Sequence, residues 1–131
     1  MEKDAKGGID ILSKSLKKFR PFLKLKNTVL FNENCLELLH FIPEDSINMI
    51  FADPPYMLSN NGFSCQNGKR VNVNKGKWDK SKGFEEDAIF HNEWISACRR
   101  ILKPEGTIWI SGTYHSIYQC GYLLQKIVFI F

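Results

Sequence analysis

Asp53-Pro54-Pro55-Tyr56 places a carboxylate, two prolines and an aromatic ring in four consecutive residues. That set suits one chemistry well, the handling of an amino group conjugated with a ring. The lone pair of such a nitrogen is delocalised into the ring, which makes it a poor nucleophile. Two acceptors that bind its protons hold them out of the conjugated geometry and localise the lone pair on nitrogen, where it can attack a methyl donor. Asp53 offers a carboxylate oxygen and Pro54 a backbone carbonyl. Proline lacks an N–H and has a fixed φ, so two in a row make a stiff extended loop whose carbonyls are little used internally. The Tyr56 ring can stack on a base, an interaction of roughly 1–3 kcal/mol. Stacking of that size offsets much of the cost of extruding a base from a duplex. Taken alone, the four residues also read as a turn followed by a core tyrosine. The elements around them separate the two readings.

In front of the tract runs Ile47-Asn48-Met49-Ile50-Phe51-Ala52, a buried strand by length and composition, preceded by the turn-like Pro43-Glu44-Asp45-Ser46. Upstream, residues 28–31 read as a short strand, Asn32-Glu33-Asn34 as a turn or cap, and residues 35–41 as a helix that Pro43 ends. Strand, helix and strand make a βαβ unit, which implies parallel strands and a right-handed crossover. A carboxylate at the carboxyl end of such a strand is where open α/β sheets place ligand chemistry. Before this, Ile9, Leu12, Leu16 and Phe19 recur at helical spacing, predicting an amphipathic helix up to Pro21. Residues 57–83 show no regular period and predict a long loop, rich in Asn, Gly, Ser and Lys, with a functional role. Residues 85–103 predict the best helix, opened by Glu85, Glu86 and Asp87 and closed by Arg99, Arg100 and Lys103. Pro104-Glu105-Gly106 then turns into a strand at 107–111, followed by a helix at 114–125 and a terminal strand at 127–131.

The chain has 131 residues, enough for one small domain, with 44% hydrophobic and 24% charged residues, as in ordinary globular proteins. Net charge is +4, and the cations cluster. Eight lie between Lys3 and Lys26, six between Lys69 and Lys82, and only Lys126 follows Gly106. This polarised pattern suits a polyanionic partner. Cys35, Cys65, Cys98 and Cys120 form no Cys-x-x-Cys pair, so buried free thiols in a reducing cytoplasm are expected, with no disulfide framework. His40, His91 and His115 have no ligand spacing, so no metal is expected. No signal peptide or membrane-spanning run is present, which argues for a cytoplasmic protein without membrane contact.

Several tracts together resemble the S-adenosylmethionine-dependent amino-methylating DNA methyltransferases (N6-adenine/N4-cytosine), specifically the permuted restriction-modification group with Asp-Pro-Pro-Tyr first. These are Glu33-Asn34-Cys35-Leu36, then Asp53 through Gly62, then Val73-Asn74-Lys75-Gly76-Lys77-Trp78-Asp79-Lys80, and Leu102 through Ile108. The resemblance runs from about Asn27 to Gln125. It implies methylation of adenine N6, more than of cytosine N4, in a short duplex DNA site by base flipping, with direct in-line transfer and no cysteine nucleophile; methylation of RNA or of a protein amide is a weaker alternative, and Asp53 counts against the amide. It also implies an α/β fold containing the N-terminal half of a Rossmann-like, three-layer αβα sheet. Carried over by residue, Asp53, Pro54, Pro55 and Tyr56 hold the target base. Asn34, Cys35 and Leu36, with Asp53, lie at the cofactor, where Asn34 stands in place of the family's usual Asp. Lys75, Lys77, Trp78 and Lys80 belong to a mobile loop near DNA or the cofactor, the alternative being solvated charges around a Trp anchor.

The family also needs a glycine-rich Phe-x-Gly-x-Gly-type motif, and the chain contains none. In the family's sheet the strands matching 28–31 and 47–52 are separated by two strands from the other half. A truncated N-terminal portion is therefore expected, with a missing C-terminal half or second subunit as partner. The alternative is an inactive DNA-binding or subunit fragment. The expected organisation is one partial domain: a basic helical segment at 1–27, strand-helix-strand at 28–56, the mobile basic loop at 57–83, and helix-strand-helix with a terminal strand at 84–131.

Overall fold

The computed structural model describes Leu12, residues 14–59 and residues 62–127. They form a mixed α/β structure with three two-stranded sheets. The chain divides into two units, one of Met1–Met49 and Ser96–Thr107, the other of Ile50–Ile95 and Ile108–Phe131.

In the first unit, β1 (Leu23–Leu25) and β2 (Thr28–Leu30) form an antiparallel hairpin, with Leu23 opposite Leu30 and Leu25 opposite Thr28. The antiparallel partner corrects the expected parallel setting of β2, which pairs with a strand just before it. A two-residue connection, Lys26-Asn27, closes this pairing with far less loop entropy than a crossover would require. Helix α1 (Cys35–Phe41) is capped by Asn34, whose Oδ1 accepts the Leu36 N–H at 2.9 Å. The far end is closed by Arg100, whose Nη2 donates to the carbonyls of Leu39 at 2.8 Å and Ile42 at 2.9 Å. The Leu39 carbonyl also accepts the Ile42 N–H at 3.1 Å, so Arg100 adds a second donor at a helix end whose carbonyls have few partners of their own. Arg100 was expected to complement the dipole of its own helix, but its guanidinium serves α1. Leu16, Phe19, Ile42, Cys98, Ile101 and Leu102 are buried. Phe19 meets Phe31 and Phe41 edge-on, with ring centroids 6.5 and 5.5 Å apart. The helix expected up to Pro21 falls largely outside the described residues, and within them Leu12, Lys14 and Ser15 are helical.

In the second unit, the stretch expected as a loop holds a hairpin of β4 (Phe63–Gln66) and β5 (Lys69–Asn72), and a 3-10 turn at Lys77–Asp79. Asn67 and Gly68 join the strands with φ of 52° and 75°. A two-residue hairpin turn with both central residues left-handed matches the strand twist, and Asn-Gly is the pair that tolerates it. Helix α2 (Phe84–Ile101) begins here and ends in the first unit. Its start is secured by Asp87, which accepts from the Ser81 hydroxyl at 2.6 Å and the Lys82 N–H at 3.0 Å. Trp94, Ile95, Cys120 and Leu123 are buried, the last two on helix α3 (Ile117–Lys126). His91 is fully buried and accepts the Trp94 indole N–H at 3.0 Å on Nδ1. Burial lowers its pKa and favours the neutral ring. Of the expected terminal strand, Ile127 continues α3 as a turn and residues 128–131 lie outside the described residues.

Strand β3 (Ile47–Ala52) pairs with β6 (Leu102–Ile110). Ser46 donates its N–H to Ile101 before the pair, and Ser111 donates its N–H to Ala52 after it. Residue numbers rise together on both sides, as in parallel strands, so β3, α2 and β6 make a βαβ crossover. β6 takes in Pro104-Glu105-Gly106, which was expected to be a turn. Gly106 is needed there, since a Cβ would lie 2.9 Å from Leu102 Cδ2 and 3.1 Å from the Ile47 carbonyl oxygen. β3 was expected to be buried, yet Met49 and Phe51 are 61% and 69% exposed. With two strands in this sheet, nothing among the described residues covers that face.

No helix among the described residues is long and apolar enough to cross a membrane, and no cluster among them has metal-ligand character. All four cysteines are free. Cys98 and Cys120 are buried, and burial pushes both thiols up to about 11. Cys35 and Cys65 are exposed, contrary to the expectation of four buried thiols. A thiol reagent such as a disulfide dye at pH 8 will therefore modify two cysteines in the native chain, Cys35 and Cys65, and the other two only on unfolding. Fast reaction of all four would contradict this packing.

Candidate active site

Asp53 and Ser111 stand at the ends of the paired strands β3 and β6. The Ser111 N–H bonds the Ala52 carbonyl at 2.9 Å and so places both side chains at one strand end. The Ser111 hydroxyl donates to Asp53 Oδ1. The Tyr56 hydroxyl donates to the same oxygen at 2.7 Å and lies 3.3 Å from Ser111 Oγ. Two hydroxyl donors on one oxygen favour the charged carboxyl. The Asp53 pKa is accordingly lowered, first by Ser111, then by Tyr56, against an opposing desolvation, with the Lys75 ammonium adding a smaller downward push. Among the described residues Oδ2 takes no hydrogen bond, and Asp53 is exposed. The arrangement is a fixed, ionised acceptor with one oxygen anchored and one presented outward.

The loop after Asp53 is held from beneath. The fully buried Asp79 accepts the Tyr56 N–H at 2.8 Å and the Met57 N–H at 3.1 Å on Oδ1, and the Ser59 hydroxyl at 2.7 Å on Oδ2. Ser59 Oγ accepts the Lys75 N–H at 2.9 Å, and the Ser59 N–H bonds the Asp79 carbonyl at 3.1 Å. Lys75 Nζ lies 4.8 Å from the Tyr56 ring centroid, a cation–π contact that covers one ring face. Beside the loop is a groove of about 560 Å³, lined by Pro55, Met57, Lys77, Trp78, Lys80 and Phe90 among others. Trp78 is 62% exposed.

The structure thus brings Asp53, Pro54, Pro55 and Tyr56 together with Lys75. It sends Lys77, Trp78 and Lys80 to the groove, so the four residues expected at DNA occupy two places. Asn34, Cys35 and Leu36 stand in the first unit, while Asp53–Tyr56 stand in the second. Asn34 uses its Oδ1 as a helix cap. An acidic acceptor toward an adenosine is therefore not what this position presents. Ser111 and Asp79 escaped sequence reasoning. A serine directly after an Ile-rich strand was an available signal for the first. For Asp79 no local signal marks it: of the Trp78-Asp79 pair the aspartate is buried and the tryptophan exposed.

A profile of the DNA methylase family matches residues 47–131, and the chain belongs to that family of N6/N4 methyltransferases. Among curated relatives, it is similar to the type II methyltransferase M2.LlaDCHI of Lactococcus lactis subsp. cremoris, 46% identical over 82% of this chain and 40% of the relative. It is 42% identical to the type II methyltransferase M2.DpnII of Streptococcus pneumoniae over the same shares, 82% and 40%. It is 40% identical to the type II methyltransferase M.HinfI of Haemophilus influenzae over 79% of this chain and 29% of that protein. The chain spans well under half the length of these relatives.

The anchored carboxylate gives a direct test. A depressed folded-state pKa means that Asp53 keeps its charge to a lower pH than a free aspartate does, and loses the acceptor only as pH drops through that lowered value. Carbon-detected NMR titration is expected to place the Asp53 midpoint below that of a free aspartate. Ser111→Ala will move it upward more than Tyr56→Phe does. An unshifted midpoint in the unsubstituted chain would contradict the geometry.

Proposed function

We propose that this chain forms the target-base pocket of a site-specific DNA methyltransferase that transfers a methyl group to adenine N6, as part of a type II restriction-modification system. The observation that carries the reading is the Asp53–Ser111–Tyr56 cluster at the ends of two parallel strands. An exocyclic amino group extruded from the duplex donates one proton to Asp53 Oδ2 and the other to the Pro54 carbonyl. That localises the nitrogen lone pair for in-line attack. The base stacks on the Tyr56 face opposite Lys75, and Pro55 keeps the loop extended. Lys77, Trp78 and Lys80 contact the strand beside the target. S-adenosylmethionine, when bound, supplies the methyl group.

The parallel β3–α2–β6 crossover is a building unit of Rossmann-like three-layer sheets. We propose that further strands and the glycine-rich cofactor motif come from the remaining part of a longer enzyme or from a second subunit. Exposed Phe51 and Trp109, 69% and 65% accessible, are apolar residues on that sheet available for cover. A second reading is an inactive DNA-binding or subunit fragment in a soluble cytoplasmic setting. The engagement of Asn34 in capping favours it, because the chain then offers little of its own to the cofactor.

Calorimetry with S-adenosylmethionine separates the two readings: micromolar binding by the chain together with the C-terminal part of a relative, and not by that part alone, supports the enzyme, and no gain on adding the chain supports the fragment. With the C-terminal part of an M2.DpnII-like relative supplied in trans, labelled methyl incorporation into DNA is expected. Asp53→Ala should lower it by about 100-fold or more, as for loss of a group acting on the reacting atoms. DNA binding should change little. Retained methylation would remove Asp53 from the chemistry.

A further inference from the structure

We propose that Asp79 is the positioning residue of the Asp-Pro-Pro-Tyr loop, fixing the Tyr56 and Met57 backbone from below so that the Tyr56 ring and hydroxyl stand where a base and Asp53 need them. The inference rests on the target-base reading for its functional consequence, but its geometry stands separately.

Three observations carry it. Asp79 has no solvent exposure, and among buried residues its carboxyl is the one that receives donors from the loop directly after Pro55: two backbone N–H groups and a hydroxyl. Carboxyl groups are rarely buried without such a set. Met57 has φ of 57°, left-handed backbone at a non-glycine residue. Such a residue persists where the surroundings over-determine it, and here the Met57 N–H is one of the two that Oδ1 holds. The Ser59–Asp79 backbone bond and the Lys75–Ser59 bond then close the loop onto the segment at 75–79. That segment also presents Lys75 to the Tyr56 ring and Trp78 to the groove. One buried carboxyl therefore sets the spacing between the base clamp and the residues proposed to touch the neighbouring strand.

Asp79 touches no reacting atom in this scheme. Asparagine keeps a carbonyl oxygen for the two N–H groups, whereas alanine keeps nothing. Hydrogen exchange by NMR reads the clamp itself. In Asp79→Ala the Tyr56 and Met57 amides are expected to exchange at least about tenfold faster, the scale of one lost buried hydrogen bond. Amides of α2 should be unchanged, and Asp79→Asn should stay within about threefold of the unsubstituted chain. An oligonucleotide carrying 2-aminopurine then reads base stacking by fluorescence quenching. Its affinity should fall about tenfold in Asp79→Ala and recover in Asp79→Asn. Unchanged Tyr56 and Met57 exchange in Asp79→Ala overturns the proposal, as does loss of protection in Asp79→Asn with α2 intact. If Asp79→Ala does not fold, couplings through the hydrogen bonds from the Tyr56 and Met57 amide nitrogens to Asp79 Cγ in the unsubstituted chain decide it. Their presence supports the clamp and their absence overturns it. Failure of the unsubstituted chain to bind the oligonucleotide, with the clamp signals in place, would instead count against the target-base reading.

Discussion

A hydroxyl at the end of one strand meeting a carboxylate at the end of its neighbour is the interaction on which this site depends. Ser111 follows β6 and Asp53 follows β3, and the backbone bond between Ser111 and Ala52 keeps them abreast. Without that pairing, Asp53 would be an exposed aspartate on a proline loop, free to rotate. With it, one oxygen is anchored by two hydroxyl groups and the charge is retained to low pH. The acceptor is thereby defined and not mobile. This is how local hydrogen bonding turns a surface residue into a preorganised group.

The same site is supported from the opposite side by a buried carboxylate. Asp53 faces outward with its charge exposed, while Asp79 faces inward with its oxygens occupied by loop donors. The two aspartates lie on either side of Tyr56 and do different work. One presents an acceptor, and the other holds the Tyr56 backbone and its left-handed neighbour Met57 in place. The strained backbone at Met57 is tolerated because Asp79 supplies partners that solvent would not hold in a fixed direction.

The sequence was most legible where information is local. Helix α2 was readable because its acidic start and apolar stripe are both contiguous, and observed bounds of Phe84–Ile101 lie within two residues of the expected ones. Asp53 to Tyr56 stand out in the sequence for the same reason, as four contiguous residues. Ser111 and Asp79 were not, because strand pairing and loop closure bring them in from 58 and 23 residues away. The β4–β5 hairpin carried a readable Asn67-Gly68 turn, but its flanks, Cys65-Gln66 and Lys69-Arg70, lack apolar alternation, so the turn alone did not suggest strands. Leu23-Lys24-Leu25 alternates over three residues only, too short to compete with the helical period before it. The parallel pairing of β3 was foreseen, but its neighbour was not, since partner choice depends on tertiary closure that no local pattern encodes.

The central claim is that a nucleobase is received against Tyr56 beside Asp53. Photocrosslinking reads this most directly, with single-stranded oligonucleotides carrying 5-iodouracil at varied positions and the adduct located by mass spectrometry. The adduct is expected on Tyr56, and it should be lost in Tyr56→Ala while binding to the groove persists. Efficient crosslinking confined to Trp78 or to the hairpin at 63–72, with none at Tyr56, would contradict the claim.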